Sequence, residues 1–69
     1  MLTARQCDVI NALAFCGMNM AAAARMLKCA RNSLLWHVSS IKEKTGLNPR
    51  DFFDLQELYR IAGGEEDDP

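Results

Sequence analysis

The stretch NMAAAARMLKCARNSLLWHVSSIKEKTG, residues 19–46, contains two runs of apolar residues with helical spacing, separated by a short turn. In the first run, the i, i+3, i+4 and i+7 positions of one helix face are Met20, Ala23, Ala24 and Leu27. In the second run, Leu34, Val38 and Ile41 follow a similar spacing. The two adjacent alanines are small enough to let a second helix cross closely. Two apolar helix faces joined by three or four residues predict a helix-turn-helix.

Further helices are predicted on both sides of this stretch, so the expected fold class is all-α. Thr3, followed three residues later by Gln6, forms a capping-box pattern that begins a first helix. Asn19 is a natural N-cap for the second helix, Gly46 can end the third in a left-handed conformation, and Asp51 begins a fourth. The expected helices span about residues 3–16, 19–27, 30–45 and 51–62, in one compact helix-turn-helix domain over residues 1–62.

We expect the core to be built from one apolar stripe of each helix. In the first helix this stripe is Val9, Ile10 and Leu13. The methionines at positions 18, 20 and 26 are expected to fill the core, and the three cysteines to serve as small buried apolar residues. Phe52, Phe53 and Tyr59 are expected to pack against the first and third helices. The remainder of the apolar fourth helix is available to pair with a second subunit.

The charge of the chain is unevenly distributed. The formal net charge is −1, but four of the nine acids lie at residues 65–68, and without them the balance is 8 − 5 = +3. Residues 25–50 contain six bases and one acid, Glu43. Such an excess suits a nucleic-acid partner, although a solvated helix face has the same composition. Residues 63–69 are expected to form a disordered acidic tail, which could fold back on the basic face.

Several functional classes are disfavoured by the composition. The three cysteines have no CxxC spacing, which indicates a reducing, cytoplasmic compartment. The sequence has no signal core and no apolar run of the roughly 20 residues that a membrane span requires. His37 is the only histidine, and no cysteine stands at metal-ligand spacing from it. We therefore expect no metal, cofactor, small-molecule ligand or enzymatic activity.

Three motifs resemble a known family. A-A-R-M-L at residues 23–27, R-N-S-L at 31–34 and T-G-L-N-P at 45–49 are similar to the C-terminal helix-turn-helix of PucR-type and CdaR-type bacterial transcriptional regulators. L-T-A-R-Q-C-D-V-I at residues 2–10 and H-V-S-S-I at 37–41 are also similar to the LuxR (GerE-like) DNA-binding domain. Both resemblances imply that residues 30–45 form a recognition helix in the DNA major groove. They also imply a homodimer that presents two such helices about one DNA turn apart.

Nine residues are candidates for contact with double-stranded DNA: Arg25, Lys28, Arg31, Asn32, Ser33, Leu35, Trp36, His37 and Lys42. Arg31 could grip guanine or a phosphate with two hydrogen bonds, and otherwise it is a surface arginine. Asn32 could read adenine or cap the first turn, and Ser33 could donate to a phosphate or to its own backbone. The bases at positions 25, 28 and 42 are expected to contact phosphates beside the groove.

The middle of the predicted recognition helix leaves more alternatives open. Leu35 is expected on the exposed side, where it could contact a thymine methyl group, join a protein interface or lie partly buried beneath Phe52 or Phe53. Trp36 could donate to the DNA backbone or pack against the fourth helix. His37 could contact the DNA backbone or remain a surface imidazole.

The expected function is sequence-specific DNA binding by a transcriptional regulator. The chain departs from the PucR pattern at Leu35, His37, Ser39 and Ser40, near which that family usually has further basic residues. This departure favours the alternative, a protein-interaction or dimerisation module that does not bind DNA strongly.

Overall fold

The computed structural model describes residues 2–62, which fold into four helices: α1 (Ala4–Phe15), α2 (Met20–Leu27), α3 (Arg31–Thr45) and α4 (Phe52–Ile61). The all-α prediction is confirmed, and no strand occurs within the described range. Every predicted helix end lies within one residue of the observed end, because the predicted ranges included the capping residues. The acidic tail at residues 63–69, and its expected return to the basic face, lie outside the described residues.

Three of the four helices begin with a side-chain cap. Thr3 and Gln6 form the complete capping box of α1: Gln6 N donates to Thr3 Oγ1 at 3.1 Å, and Thr3 N donates to Gln6 Oε1 at 2.9 Å. Asn19 and Asp51 accept hydrogen bonds from the first turns of α2 and α4. By contrast, the N-cap residue of α3 is Ala30, whose side chain provides no acceptor. The backbone amides of the first turn of this helix therefore have no capping side chain to accept their hydrogen bonds.

Left-handed residues separate the helices. Gly17 and Met18 follow α1 with φ values of 63° and 68°, and Met18 N donates to Leu13 O at 2.7 Å. Gly46 ends α3 with a φ of 79°, as predicted. Lys28 ends α2 with a φ of 56°, a conformation that costs a residue with a Cβ more than it costs glycine. These reversals let four short helices fold back on one another.

The core lies around α1. The buried apolar residues are Val9, Ile10, Ala12, Leu13, Met20, Ala23, Ala24, Leu34, Val38, Ile41, Leu55 and Leu58. Helix α1 packs against each of the other three, and α2 also packs against α3. Within the described residues α4 approaches α1 but neither α2 nor α3. Helix α4 therefore packs mainly on α1, and Asn48 N in the preceding turn also donates to Asp54 Oδ2 at 3.0 Å.

Two expectations about the core were wrong. Phe52 and Phe53 do not pack against α1 and α3: they are 55% and 74% exposed, and their rings contact each other edge to face at 5.3 Å. The apolar stripe of α4 is instead formed by Leu55 and Leu58, with Tyr59 half-buried beside it. Met26 is not core filler, since it is 47% exposed, whereas Met20 is buried.

The cysteines are intermediate between core and surface. Cys7, Cys16 and Cys29 are half-buried free thiols, so the expectation that they are buried holds only in part. Cys16 and Cys29 pack against the core, and Cys16 Sγ lies 3.9 Å from Met26 Sδ. None of the helices within residues 2–62 has the length and apolar content needed to cross a membrane.

Candidate nucleic-acid interface

The turn between α2 and α3 has the geometry that the sequence predicted. Residues 28–30 connect the two helices, and the left-handed Lys28 directs the chain away from α2. Lys28 N donates to Arg25 O at 3.1 Å and Cys29 N donates to Ala24 O at 3.0 Å, which closes the end of α2. Ala23 is fully buried, and α3 packs directly against α2. The unit is a helix-turn-helix with α3 as its second helix.

One side of α3 faces away from the rest of the fold. Its inner stripe, Leu34, Val38 and Ile41, is buried as predicted. Since the helix has 3.6 residues per turn, the opposite stripe consists of Asn32, Trp36, Ser39 and Glu43, all of them exposed. We call this stripe the outer face of α3. At its start, Arg31 and Ser33 are also exposed.

Trp36 dominates this outer face. Its side chain is 66% exposed and α4 does not approach α3 among the described residues, so of the two alternatives for Trp36 the packing against α4 was wrong. Its ring instead contacts the half-buried His37 ring at a centroid distance of 5.2 Å and an interplanar angle of 76°, an edge-to-face arrangement. This contact favours one orientation of the exposed indole.

Leu35 is not on the outer face. It is half-buried and packs against the core, so the expectation that it lies on the exposed side was wrong. The expected cover by Phe52 or Phe53 is not found either, since α4 does not approach α3 among the described residues. The one large apolar side chain on the outer face is therefore Trp36.

The bases around the helix-turn-helix are accessible. The six bases at residues 25–50 are all exposed: Arg25, Lys28, Arg31, Lys42, Lys44 and Arg50. Within residues 2–62 the ion pair that forms joins Arg60 to Glu57 on α4, and none of Arg25, Lys28, Arg31 and Lys42 takes part in a salt bridge. Their charge is thus not neutralised by neighbouring carboxylates of that part of the chain.

Helix α3 is fixed to the start of α1 by one polar residue that the sequence did not single out for this role. Gln6 is only 6% exposed, its Nε2 donates to Ser40 Oγ at 3.3 Å, and its Oε1 accepts from Lys44 Nζ at 3.1 Å. The capping-box pattern predicted the local bonds of Gln6 to Thr3. The bonds to α3 depend on how the two helices cross, which the sequence pattern does not specify.

An apolar surface lies between α1 and α4 and extends to the end of α2. Two shallow depressions adjoin there and share Ala14 and Tyr59. One also contacts Phe15 and Met26, and the other contacts Phe52. We call this region the α1–α4 apolar surface. Phe15, at 80% exposed, is its most accessible large side chain.

Within residues 2–62, no group of three or more His, Cys, Asp or Glu side chains is placed to hold a metal ion.

No family model matches the chain, and no curated protein and no solved structure gives a match. The resemblance to PucR-type and LuxR-type domains accordingly stays a prediction based on the motifs quoted above.

Proposed function

We propose that this protein binds double-stranded DNA sequence-specifically, as the helix-turn-helix module of a transcriptional regulator, with α3 in the major groove. The observation that carries the proposal is the uncovered outer face of α3, flanked by four exposed bases that have no salt-bridge partner within residues 2–62: Arg25, Lys28, Arg31 and Lys42. A major groove accepts one α-helix, and the helix must present a face free of its own domain. The outer face meets this requirement.

Each group of exposed residues has a distinct role in the proposed complex. Arg25, Lys28 and Lys42 contact phosphates on either side of the groove, which supplies affinity independent of sequence. Arg31 and Asn32, at the start of α3, contact base edges, because the N-terminal residues of a recognition helix lie deepest in the groove. Here the absence of a side-chain cap leaves first-turn amides available to phosphate oxygens.

Two neighbouring residues complete the proposed contacts. Ser33 is exposed and donates to a phosphate near the first turn of α3. His37, which is half-buried and in edge-to-face contact with Trp36, contacts the DNA backbone at the border of the interface. No covalent chemistry is proposed, and a reducing cytoplasmic location fits the three free cysteines of the described residues.

A salt titration tests the proposal. The protein is titrated with a pool of random duplexes at several salt concentrations, and the bound duplexes are then selected and sequenced. We expect log affinity to fall linearly against log salt, with a slope of about 0.9 per phosphate neutralised. We also expect a recurring base pattern in the selected pool, weakened by Arg31→Ala. Binding that is absent or independent of salt contradicts the proposal.

A homodimer is the form that we propose for the DNA-bound state. A monomer with few base contacts gains affinity when a second copy occupies an adjacent half-site. The α1–α4 apolar surface provides aromatic side chains for a two-fold contact, in which the same patch is used by both copies. This surface shares no residue with the outer face of α3, so a partner bound there uses none of the side chains of that face.

The exposed aromatics also support a second candidate, a protein-interaction module without strong DNA binding. Three phenylalanine side chains are each more than half exposed: Phe15, Phe52 and Phe53. Large exposed apolar patches on a small domain often mark a protein-binding surface. Competition distinguishes the two candidates. If the module only binds protein, excess duplex leaves its self-association or partner binding unchanged, whereas the proposed function predicts that duplex promotes assembly of the dimer.

A further inference from the structure

The outer face of α3 has an unusual composition for a DNA-reading surface. Its four residues are an amide, an indole, a hydroxyl and a carboxylate, in the order Asn32, Trp36, Ser39 and Glu43. Guanine is most often recognised by arginine or lysine, which bind its O6 and N7 atoms. Neither residue type occurs in this stripe. Its chemistry therefore suits bases other than guanine along most of its length.

Asn32 and Trp36 lie one helical turn apart on the same face. Four residues of α-helix rise about 6 Å, while neighbouring base pairs are separated by about 3.4 Å. The two side chains therefore reach base pairs about two steps apart. Both belong to the first two turns of α3, the part of a recognition helix that meets bases, whereas Glu43 lies near its C-terminal end.

Asn32 and Trp36 both carry side-chain groups that suit an A·T base pair. An asparagine amide pairs with N6 and N7 of adenine through two hydrogen bonds, and apolar groups contact the C5 methyl of thymine. Trp36 is the exposed apolar group available for this contact, because Leu35 packs against the core. The edge-to-face contact with His37 limits the indole to fewer orientations, which lowers the entropy lost on binding.

We propose that the outer face of α3 reads A·T base pairs, with Trp36 contacting a thymine methyl group and Asn32 contacting adenine. This inference rests on the proposed function and specifies the class of base pairs that it prefers. Arg31, beside the outer face, contacts the edge of a single flanking base.

Three short duplexes of equal length test this inference by fluorescence anisotropy at one low salt concentration. The first contains A·T pairs in mixed order, the second has deoxyuridine in place of every thymidine, and the third has G·C pairs. For the wild-type protein we expect tightest binding to the A·T duplex, and a loss of about fourfold on the deoxyuridine duplex for each methyl group contacted. Intrinsic fluorescence should also change on binding, because Trp36 is the only tryptophan.

Two variants make the test specific. Trp36→Ala should bind the A·T and deoxyuridine duplexes with equal affinity, since it has no indole to contact the methyl group. Phe53→Ala is the matched control, because it removes another exposed aromatic side chain, on α4, and should retain the wild-type difference. Circular dichroism melting checks that both variants are folded.

The outcomes separate this inference from the function on which it rests. Equal affinity for the A·T and deoxyuridine duplexes, together with salt-dependent binding to the random pool, overturns the thymine-methyl contact and leaves the proposed function standing. Preference for the G·C duplex overturns the A·T assignment in the same way. Failure to bind any of the three duplexes, together with failure to bind the random pool, overturns both.

Discussion

Lys44 Nζ donates a hydrogen bond to Gln6 Oε1 at 3.1 Å and thereby joins the last turn of α3 to the first turn of α1. The same oxygen accepts from Thr3 N at 2.9 Å, so one amide group closes the capping box and also contacts the neighbouring helix. The Nε2 atom of Gln6 donates to Ser40 Oγ one turn earlier on α3. The orientation of α3 relative to α1 is therefore held by polar contacts as well as by the core.

Replacing Gln6 by leucine should destabilise the domain by about 1–2 kcal/mol, because a capping interaction and two cross-helix hydrogen bonds are lost. Gln6→Glu should have a free energy of unfolding close to that of the wild type, since glutamate retains the capping-box acceptor and adds a charge opposite Lys44. Urea denaturation measures both changes. Arg5→Leu, on an exposed position of α1, is the control. A Gln6→Leu variant as stable as this control would show that these hydrogen bonds make no net contribution to the stability of the domain.

Two residues of α3 that are two positions apart should differ sharply in their effect on stability. Leu34 is fully buried, and Leu34→Ala should reduce the free energy of unfolding by about 3 kcal/mol through the cavity that it creates. Trp36→Ala should change it by less than about 0.5 kcal/mol, because the indole is mostly exposed. Thermal unfolding followed by circular dichroism compares them. Similar losses for the two variants would contradict the assignment of inner and outer faces.

Lys28 combines a strained backbone with a proposed phosphate contact, and the two effects can be separated. Lys28→Gly should raise the free energy of unfolding by about 0.5–1 kcal/mol, because glycine adopts the left-handed conformation without a Cβ clash. Lys28→Gln should leave stability nearly unchanged. Both variants should reduce the salt slope of duplex binding by about 0.9, since each removes one positive charge.

Arg60→Gln provides the matched control for charge removal. Arg60 is exposed on α4, is paired with Glu57 and lies outside the proposed interface. Its removal should leave the salt slope unchanged. An equal reduction by Lys28→Gln and Arg60→Gln would mean that duplex binding depends on overall charge and has no defined footprint.

The α1–α4 apolar surface should control self-association. Phe15→Ser and Phe52→Ser should weaken the dimer by at least tenfold in sedimentation equilibrium while leaving the fold intact, because both side chains are mainly exposed. Trp36→Ser, on the outer face of α3, is the control and should associate as the wild type does. If Trp36→Ser weakens the dimer and the phenylalanine variants do not, the copies associate through the outer face of α3.

The helices could be predicted from the sequence because their signals are local. Thr3 with Gln6, Asn19 and Asp51 cap helices through bonds to residues three positions away, so a short window contains both partners. Gly46 ends α3 by its own backbone conformation. The helical spacing of apolar residues likewise predicted which residues of α3 are buried. Each of these predictions needed no knowledge of how the helices pack.

The errors arose where the answer depended on packing between helices. The hydrophobicity of Phe52 and Phe53 predicted burial, but α4 approaches only α1 within residues 2–62, and Leu55 and Leu58 already occupy that contact. Leu35 lies on the flank of α3, where a small change in the rotation of the helix decides between solvent and core. Contacts such as that of Gln6 with α3 join residues more than thirty positions apart, beyond the reach of a local pattern.

The separation of the inner and outer faces of α3 has a consequence for how this domain can be altered. Asn32 and Ser39 are exposed and form no side-chain hydrogen bond within residues 2–62, and Trp36 contacts only its neighbour His37 among the described rings. A library randomised at these three positions would leave every buried residue in place. The domain is thus a scaffold in which new surface chemistry can be selected on α3 at little cost to folding.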